Sequence, residues 1–208
     1  MELLFPVYYV SGIVARIKSR LEGSVMFSYT INDHVSLRLL EIRDAESLHM
    51  LISGCKPYLQ QWLPWAYSQH SVDSTQAFIR ASLAQFAAND GFQAGIWYDN
   101  QIAGVIGFHR FDWMNRTTSI GYWLGEPYQG LGIMTNACRT LVHFAFATLG
   151  MNRVEIECAV ENVKSRAIPE RLGFMNEGRR RQREWLQDRY VDHIMYGILA
   201  SEWLAENR

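Results

Sequence analysis

The sequence predicts a mixed α/β domain of the α+β kind, built on one mostly antiparallel sheet of about seven strands. Two observations carry this. Apolar runs with strand and helix periodicity follow one another in the order β, α, α, three strands, α, β, α, β, β, with tight turns inside the strand runs. The chain has 208 residues, 49% of them apolar and 20% charged, which suffices for one buried core but not comfortably for two.

The elements follow in order. In 34–40, Val35, Leu37 and Leu39 alternate to one side, giving a first strand. Asp44 opens a helix whose apolar face is Leu48, Leu51 and Ile52. The aromatic segment 58–65 is interrupted by Pro64, and 71–88 reads as a second helix with Ala77, Phe78, Ala81, Leu83 and Phe86 as its buried side. Strands at 92–98 and 102–111 flank Asp99-Asn100, a hairpin turn, and 117–124 follows a turn at Asn115-Arg116. After glycines 130 and 132, Cys138, Leu141, Val142, Ala145, Phe146 and Leu149 recur at helical spacing, and Gly150 ends that helix. A strand at 154–160, a short helix at 165–172 and strands at 174–186 and 189–199 complete the domain.

Net charge is -1, so the overall field gives no reason to expect nucleic acid. Cys55, Cys138 and Cys158 are odd in number and lack CxxC spacing. That argues against a disulfide framework and a metal site, and fits a reducing cytoplasm. Residues 3–15 are mostly apolar, but the basic residues Arg16, Lys18 and Arg20 follow the run instead of preceding it, unlike a secretory signal. The run is also too short to span a membrane. Residues 1–25 are therefore expected to be an extension outside the fold, with the domain covering 26–208; a short membrane-surface or partner-binding helix is the alternative.

The informative segment is Tyr122-Trp123-Leu124-Gly125-Glu126-Pro127-Tyr128-Gln129-Gly130-Leu131-Gly132-Ile133-Met134-Thr135. A strand ends, two glycines stand two apart, and a helix begins at once. Amides in the loop and the first helical turn lack intrahelical acceptors and carry the positive end of the helix dipole, so a diphosphate fits there. No lysine follows Gly132, which excludes a Walker A loop, and Thr135 replaces the third glycine of a dinucleotide fingerprint.

Gln129-Gly130-Leu131-Gly132 resembles the [Q/R]-G-x-G-x-[G/A] coenzyme A pyrophosphate loop of the GNAT superfamily of N-acetyltransferases. Ile120-Gly121-Tyr122-Trp123-Leu124, Asn152-Arg153-Val154 and Glu161-Asn162-Val163-Lys164-Ser165-Arg166-Ala167 running into Leu172-Gly173-Phe174 are similar to its RimJ/RimL-type branch in order and spacing. The resemblance covers about residues 26–203. Met134 departs from it, standing where the superfamily usually has Gly or Ala. Pro169 also departs, lying inside the short helix; were the helix to begin near Ser165, the missing N–H would fall in its first turn.

The resemblance implies a GNAT fold with helices on both sheet faces and acetyl-coenzyme A as co-substrate, without a metal. Carried onto this sequence, it implies that Trp123, Leu124, Gln129, Gly130, Leu131, Gly132, Ile133, Met134, Thr135, Asn162 and Ser165 bind the cofactor, with β-strand splaying that admits the pantetheine arm beside 122–124. It implies Ser165 as the acid for the departing thiolate and Glu184 as a base acting through water. Glu155 and Glu157 alternate along the central strand and are further carboxylates of one face. Asn162 and Ser165 also suit helix capping, and Glu184 also suits a surface ion pair with Arg179, Arg180, Arg181 or Arg183. Tyr58, Trp62, Trp65 and Tyr67 are expected in the acceptor wall, with His109 and Arg110 near the same cleft.

The implied acceptor is the N-terminal α-amine of a ribosomal protein or other peptide; such an amine, with pKa near 8, is partly neutral at neutral pH. The alternatives are a small amine such as a polyamine, amino acid or aminoglycoside, a non-catalytic acyl-coenzyme A sensor, and a membrane-attached protein using residues 1–25. Nucleic acid and membrane partners are not expected, and family members are often homodimers.

Overall fold

The structure, a computed structural model, describes residues 28–68 and 71–206. The expected extension 1–25 and Met26 lie outside the described residues. The sheet has eight strands: β1 Ser28–Thr30, β2 Val35–Leu39, β3 Phe92–Tyr98, β4 Gln101–Asp112, β5 Thr117–Leu124, β6 Arg153–Ala159, β7 Met175–Leu186 and β8 Arg189–Leu199. They are ordered β1-β2-β3-β4-β5-β6-β8-β7. Every neighbouring pair is antiparallel except β5–β6, which is parallel. The sequence expectation of about seven strands lacked β1, a three-residue edge strand with all residues exposed, which carries no alternation to read.

The helices are α1 Ala45–Gly54, α2 Lys56–Leu59, α3 Val72–Ala87, α4 Ile133–Ala147, α5 Val163–Arg171 and α6 Ala200–Glu206. The expected hairpin turn forms as its residues dictate: Asp99 and Asn100 both take positive φ, +46° and +63°, as a tight hairpin requires. Adjacent residues of β4 point to opposite sides. Ile106 belongs to a core that includes α4, Ile168 of α5 and Trp203 of α6, whereas Val105 belongs to a second core with α1, α2 and α3. Helices therefore cover both faces, and burial of these two apolar layers drives the packing.

Two local expectations change. In α3 the buried residues are Thr75, Ile79 and Ser82, whereas Phe78 and Phe86 are 41% and 52% exposed. The helix is rotated so that Phe78 and Ala81 face an open cavity instead of the sheet. In α5, Pro169 is the seventh residue, not part of the first turn. The helix begins at Val163 because Asn162 caps it, its side-chain oxygen accepting from the Ser165 amide at 3.1 Å.

Candidate active site

The site arises where the sheet opens. Strands β5 and β6 pair only through Thr117↔Arg153, Thr118↔Val154 and Ser119↔Glu155. Beyond Ser119, β5 continues to Leu124 paired with β4 alone. The backbone groups of β5 that point away from β4 thus face a wedge, a bare edge against which an extended ligand can pair. Two cavities, of about 740 and 940 Å³, meet in this wedge and share Trp62, Leu63, Tyr122, Trp123, Asn162 and Ser165.

The 740 Å³ cavity lies over the start of α4. Gly130 and Gly132 adopt left-handed φ of +76° and +73°, and Gly132 is the N-cap without a side-chain cap bond. Asn136 donates to the Gly132 carbonyl at 3.1 Å, so the preceding first-turn amides are left to an outside acceptor. A Cβ on either glycine would meet no protein atom within 4 Å; the space belongs to whatever the turn binds. Arg139, Lys164 and Arg171 add cationic side chains to the lining, and Lys164 Nζ donates to Gln129 Oε1 at 2.9 Å. Amides, positive dipole and three cations suit the diphosphate of coenzyme A.

Of the sequence-identified cofactor residues, Trp123, Leu124, Gln129, Gly130, Gly132, Ile133, Met134, Thr135, Asn162 and Ser165 all line this cavity. The Leu131 side chain does not; it is 55% exposed, which leaves its backbone for the turn. Met134, the departure from the family pattern, is accommodated because most of its side chain is buried in the main core.

The shared floor of the cavities is a cluster around Ser165. Its hydroxyl lies 3.2 Å from Cys158 Sγ and donates to the Tyr122 hydroxyl at 3.4 Å. The Tyr122 hydroxyl in turn donates to the Ser165 carbonyl at 3.0 Å. Burial pushes the Tyr122 phenol well above its ordinary range and also raises the Cys158 thiol, so both remain protonated around neutral pH. The sequence left the Tyr122 side chain undecided between site and packing. Strand alternation decides it: Tyr122 turns toward α4, and Trp123 turns toward the α1–α3 side, its ring centroid 5.8 Å from that of Trp65.

The 940 Å³ cavity opens on the other side of the wedge. Of the four aromatic residues expected in an acceptor wall, Trp62 and Trp65 line it, whereas Tyr58 lines the 740 Å³ cavity and Tyr67 lines neither. Phe78, Ala81 and Gln85 of α3 complete the wall. His109 Nδ1 lies 3.2 Å from Ser119 Oγ. Partial desolvation lowers the His109 imidazole, with Glu157 opposing. Glu155, Glu157 and Glu184 all reach this cavity.

Glu184 lies on the edge strand β7 opposite Val191, beyond a bulge that starts at Arg180. Its Oε2 is 3.3 Å from Nε2 of His193 on β8. Nothing local marks His193 as a site residue, because only the tertiary structure inserts β8 between β6 and β7. Lys164 was also missed, although it stands inside the Glu161–Ser165 motif. Among the described residues, no group of three or more His, Cys, Asp or Glu side chains could hold a metal ion.

This geometry agrees with three comparisons. A family model described as an acetyltransferase (GNAT) domain matches residues 34–175. The Bacillus subtilis (strain 168) protein YdaF is 41% identical over 182 residues, covering 87% of this chain and 100% of the relative. The ribosomal-protein-serine acetyltransferase of Escherichia coli (strain K12) is 31% identical over 166 residues, covering 80% and 93%. Among solved structures, RimL, a ribosomal L7/L12 alpha-N-protein acetyltransferase in complex with coenzyme A, superimposes with a TM-score of 0.78 at 29% identity, covering 83% of this chain and 97% of that one. A split parallel strand pair, a glycine turn fitted to a diphosphate and a matching family model lead to one conclusion: the chain belongs to the GNAT acetyltransferase family and is an acetyl-coenzyme A-dependent N-acetyltransferase.

Proposed function

We propose that this enzyme acetylates the N-terminal α-amine of a ribosomal protein or similar peptide. The observation that carries the reading is the meeting of the two cavities at Tyr122 and Ser165. A thioester held on one side and an amine entering from the other come together there. The acceptor side, about 940 Å³ and open to solvent, is roomier than one small amine needs. The Escherichia coli relative named for ribosomal-protein serine and the L7/L12-modifying RimL support the same acceptor class.

In this reading the turn from Gln129 to Thr135 binds the diphosphate, and the free edge of β5 at Trp123 and Leu124 pairs with the pantetheine arm. Asn162 caps α5 and offers its amide to the same arm. Ser165, whose hydroxyl is held against Tyr122 and Cys158, protonates the departing thiolate and regains its proton from water in the open site, while Tyr122 orients it. Glu184 takes the ammonium proton of the acceptor, directly or through water. Trp62 and Trp65 exclude water from the transfer point. This reading assigns the catalytic domain to 26–208 and the enzyme to the cytoplasm. No described helix is long and apolar enough to cross a membrane.

Thiol release from acetyl-coenzyme A, measured against peptides with free N-termini and against small amines, tests the reading. Turnover with peptides beginning in serine or alanine is expected. Turnover with polyamines or aminoglycosides alone would replace it.

A further inference from the structure

The acceptor cavity contains a histidine clamped between two carboxylates. His193 on β8 pairs in register with Ala159 of β6 on one side and with Arg180 of β7 on the other. Its Nδ1 is 3.7 Å from Glu157 Oε1, and its Nε2 is 3.3 Å from Glu184 Oε2. The ring is 12% exposed, and Nε2 is buried and makes no hydrogen bond. It is close to Glu184 but off the line of a made bond. On the far side, Glu157 is held by Arg183 Nε at 2.9 Å and Arg180 Nη1 at 3.5 Å.

The arrangement is asymmetric. The productive tautomer carries its proton on Nδ1, the nitrogen that faces the fixed Glu157 carboxylate. The lone pair of Nε2 then points toward Glu184.

We propose that His193 is a positioning residue for Glu184 and takes from it the proton that Glu184 removes from the acceptor ammonium. This rests on the assignment of Glu184 as the base. Glu184 accepts a proton from R–NH3⁺, leaving R–NH2. That proton passes to His193 Nε2, giving an imidazolium with both nitrogens protonated and returning Glu184 to the carboxylate. Charge is conserved at each transfer, and the amine faces an ionised Glu184 during attack instead of the carboxylic acid that could return the proton. The imidazolium then loses its proton to solvent through the open cavity.

The test compares H193N, H193Q and E184Q with the wild type, using acetyl-coenzyme A and the best acceptor peptide of the panel above. The charged and titratable groups that line the cavity with the ring include Glu155 and Glu157 of β6, Arg180, Arg183 and Glu184 of β7, and His109 of β4, and all remain in the H193 variants. The expected result is a kcat lower by about tenfold or more in both H193 variants, with acetyl-coenzyme A affinity unchanged. The acid limb of log kcat against pH should also become shallower by about one proton, because the wild type needs both Glu184 and His193 unprotonated. Retained cofactor affinity marks the variants as folded, and H193Q serves if H193N does not fold.

Loss of turnover in E184Q, with kcat and the acid-limb slope unchanged in H193N or H193Q, would overturn the role of His193 and leave Glu184 as base. Full turnover in E184Q would overturn the assignment of Glu184, and the proposal with it.

Discussion

The Tyr122 hydroxyl donates at 3.0 Å to the main-chain carbonyl of Ser165, and it does so because Pro169 stands four residues further along α5. Proline has no amide hydrogen, so the Ser165 carbonyl lacks its helical i+4 donor. The phenol fills that vacancy from the neighbouring strand and is thereby fixed beside the Ser165 hydroxyl, 3.4 Å away. An apparent defect in the helix becomes the means of orienting a proton donor.

Replacing Pro169 by alanine supplies the missing amide and makes it compete with Tyr122 for the carbonyl. P169A and Y122F are each expected to lower kcat several-fold, and the P169A/Y122F pair is expected to lose little more than Y122F alone. A double-mutant cycle on kcat checks this; additive losses would mean that the two residues act separately.

Ser165→Ala removes the hydroxyl but keeps the amide that Asn162 caps. Turnover is expected to fall by about 10²-fold, with the acetyl-coenzyme A Kd unchanged. Single-turnover kinetics together with calorimetry distinguish this from a binding defect.

Gly132→Val places a β-branched residue at φ +73°, a conformation that costs an L-residue roughly 1–2 kcal/mol. The new side chain would point into space free of protein atoms and occupy the diphosphate position. A rise of about tenfold or more in the cofactor Kd is expected, equivalent to about 1.4 kcal/mol. An unchanged Kd would move the phosphate site elsewhere.

Arg153 of β6 grips Glu177 of β7 across Gly197 of β8, with Nη1 donating to Oε1 at 2.6 Å and a second bond between Nη2 and Oε2. A Cβ on Gly197 would collide with both side chains, at 2.5 and 2.6 Å. The Arg153 guanidinium holds the Glu177 carboxyl below its ordinary value of 4.5. A depressed carboxyl stabilises the fold above its unfolded value, and that contribution is lost as pH falls through the folded one. E177Q is therefore expected to be less stable than the wild type at neutral pH, with the difference shrinking from about pH 4.5 downward. Urea unfolding at several pH values measures it; a pH-independent difference would mean that the pair contributes only packing.

The sequence by itself determined the class of fold and, through the resemblance of its glycine turn and of residues 161–174 to a family pattern, which residues are proposed to hold the cofactor. These are local properties: strand alternation, a helix repeat, and glycines whose left-handed φ only a residue without Cβ adopts freely. Asn162 and Ser165 were legible for the same reason, since a cap and its helix are neighbours in the chain. Tertiary structure decided the rest. Only the order β6-β8-β7 brings His193 between Glu157 and Glu184, and only the rotation of α3 turns Phe78 into a cavity wall instead of core. The pairing of Tyr122 with the carbonyl that Pro169 frees also joins β5 to α5, two segments more than 40 residues apart. Pairwise contacts of that range depend on which strands become neighbours, and the chain settles that by burying its two apolar layers together.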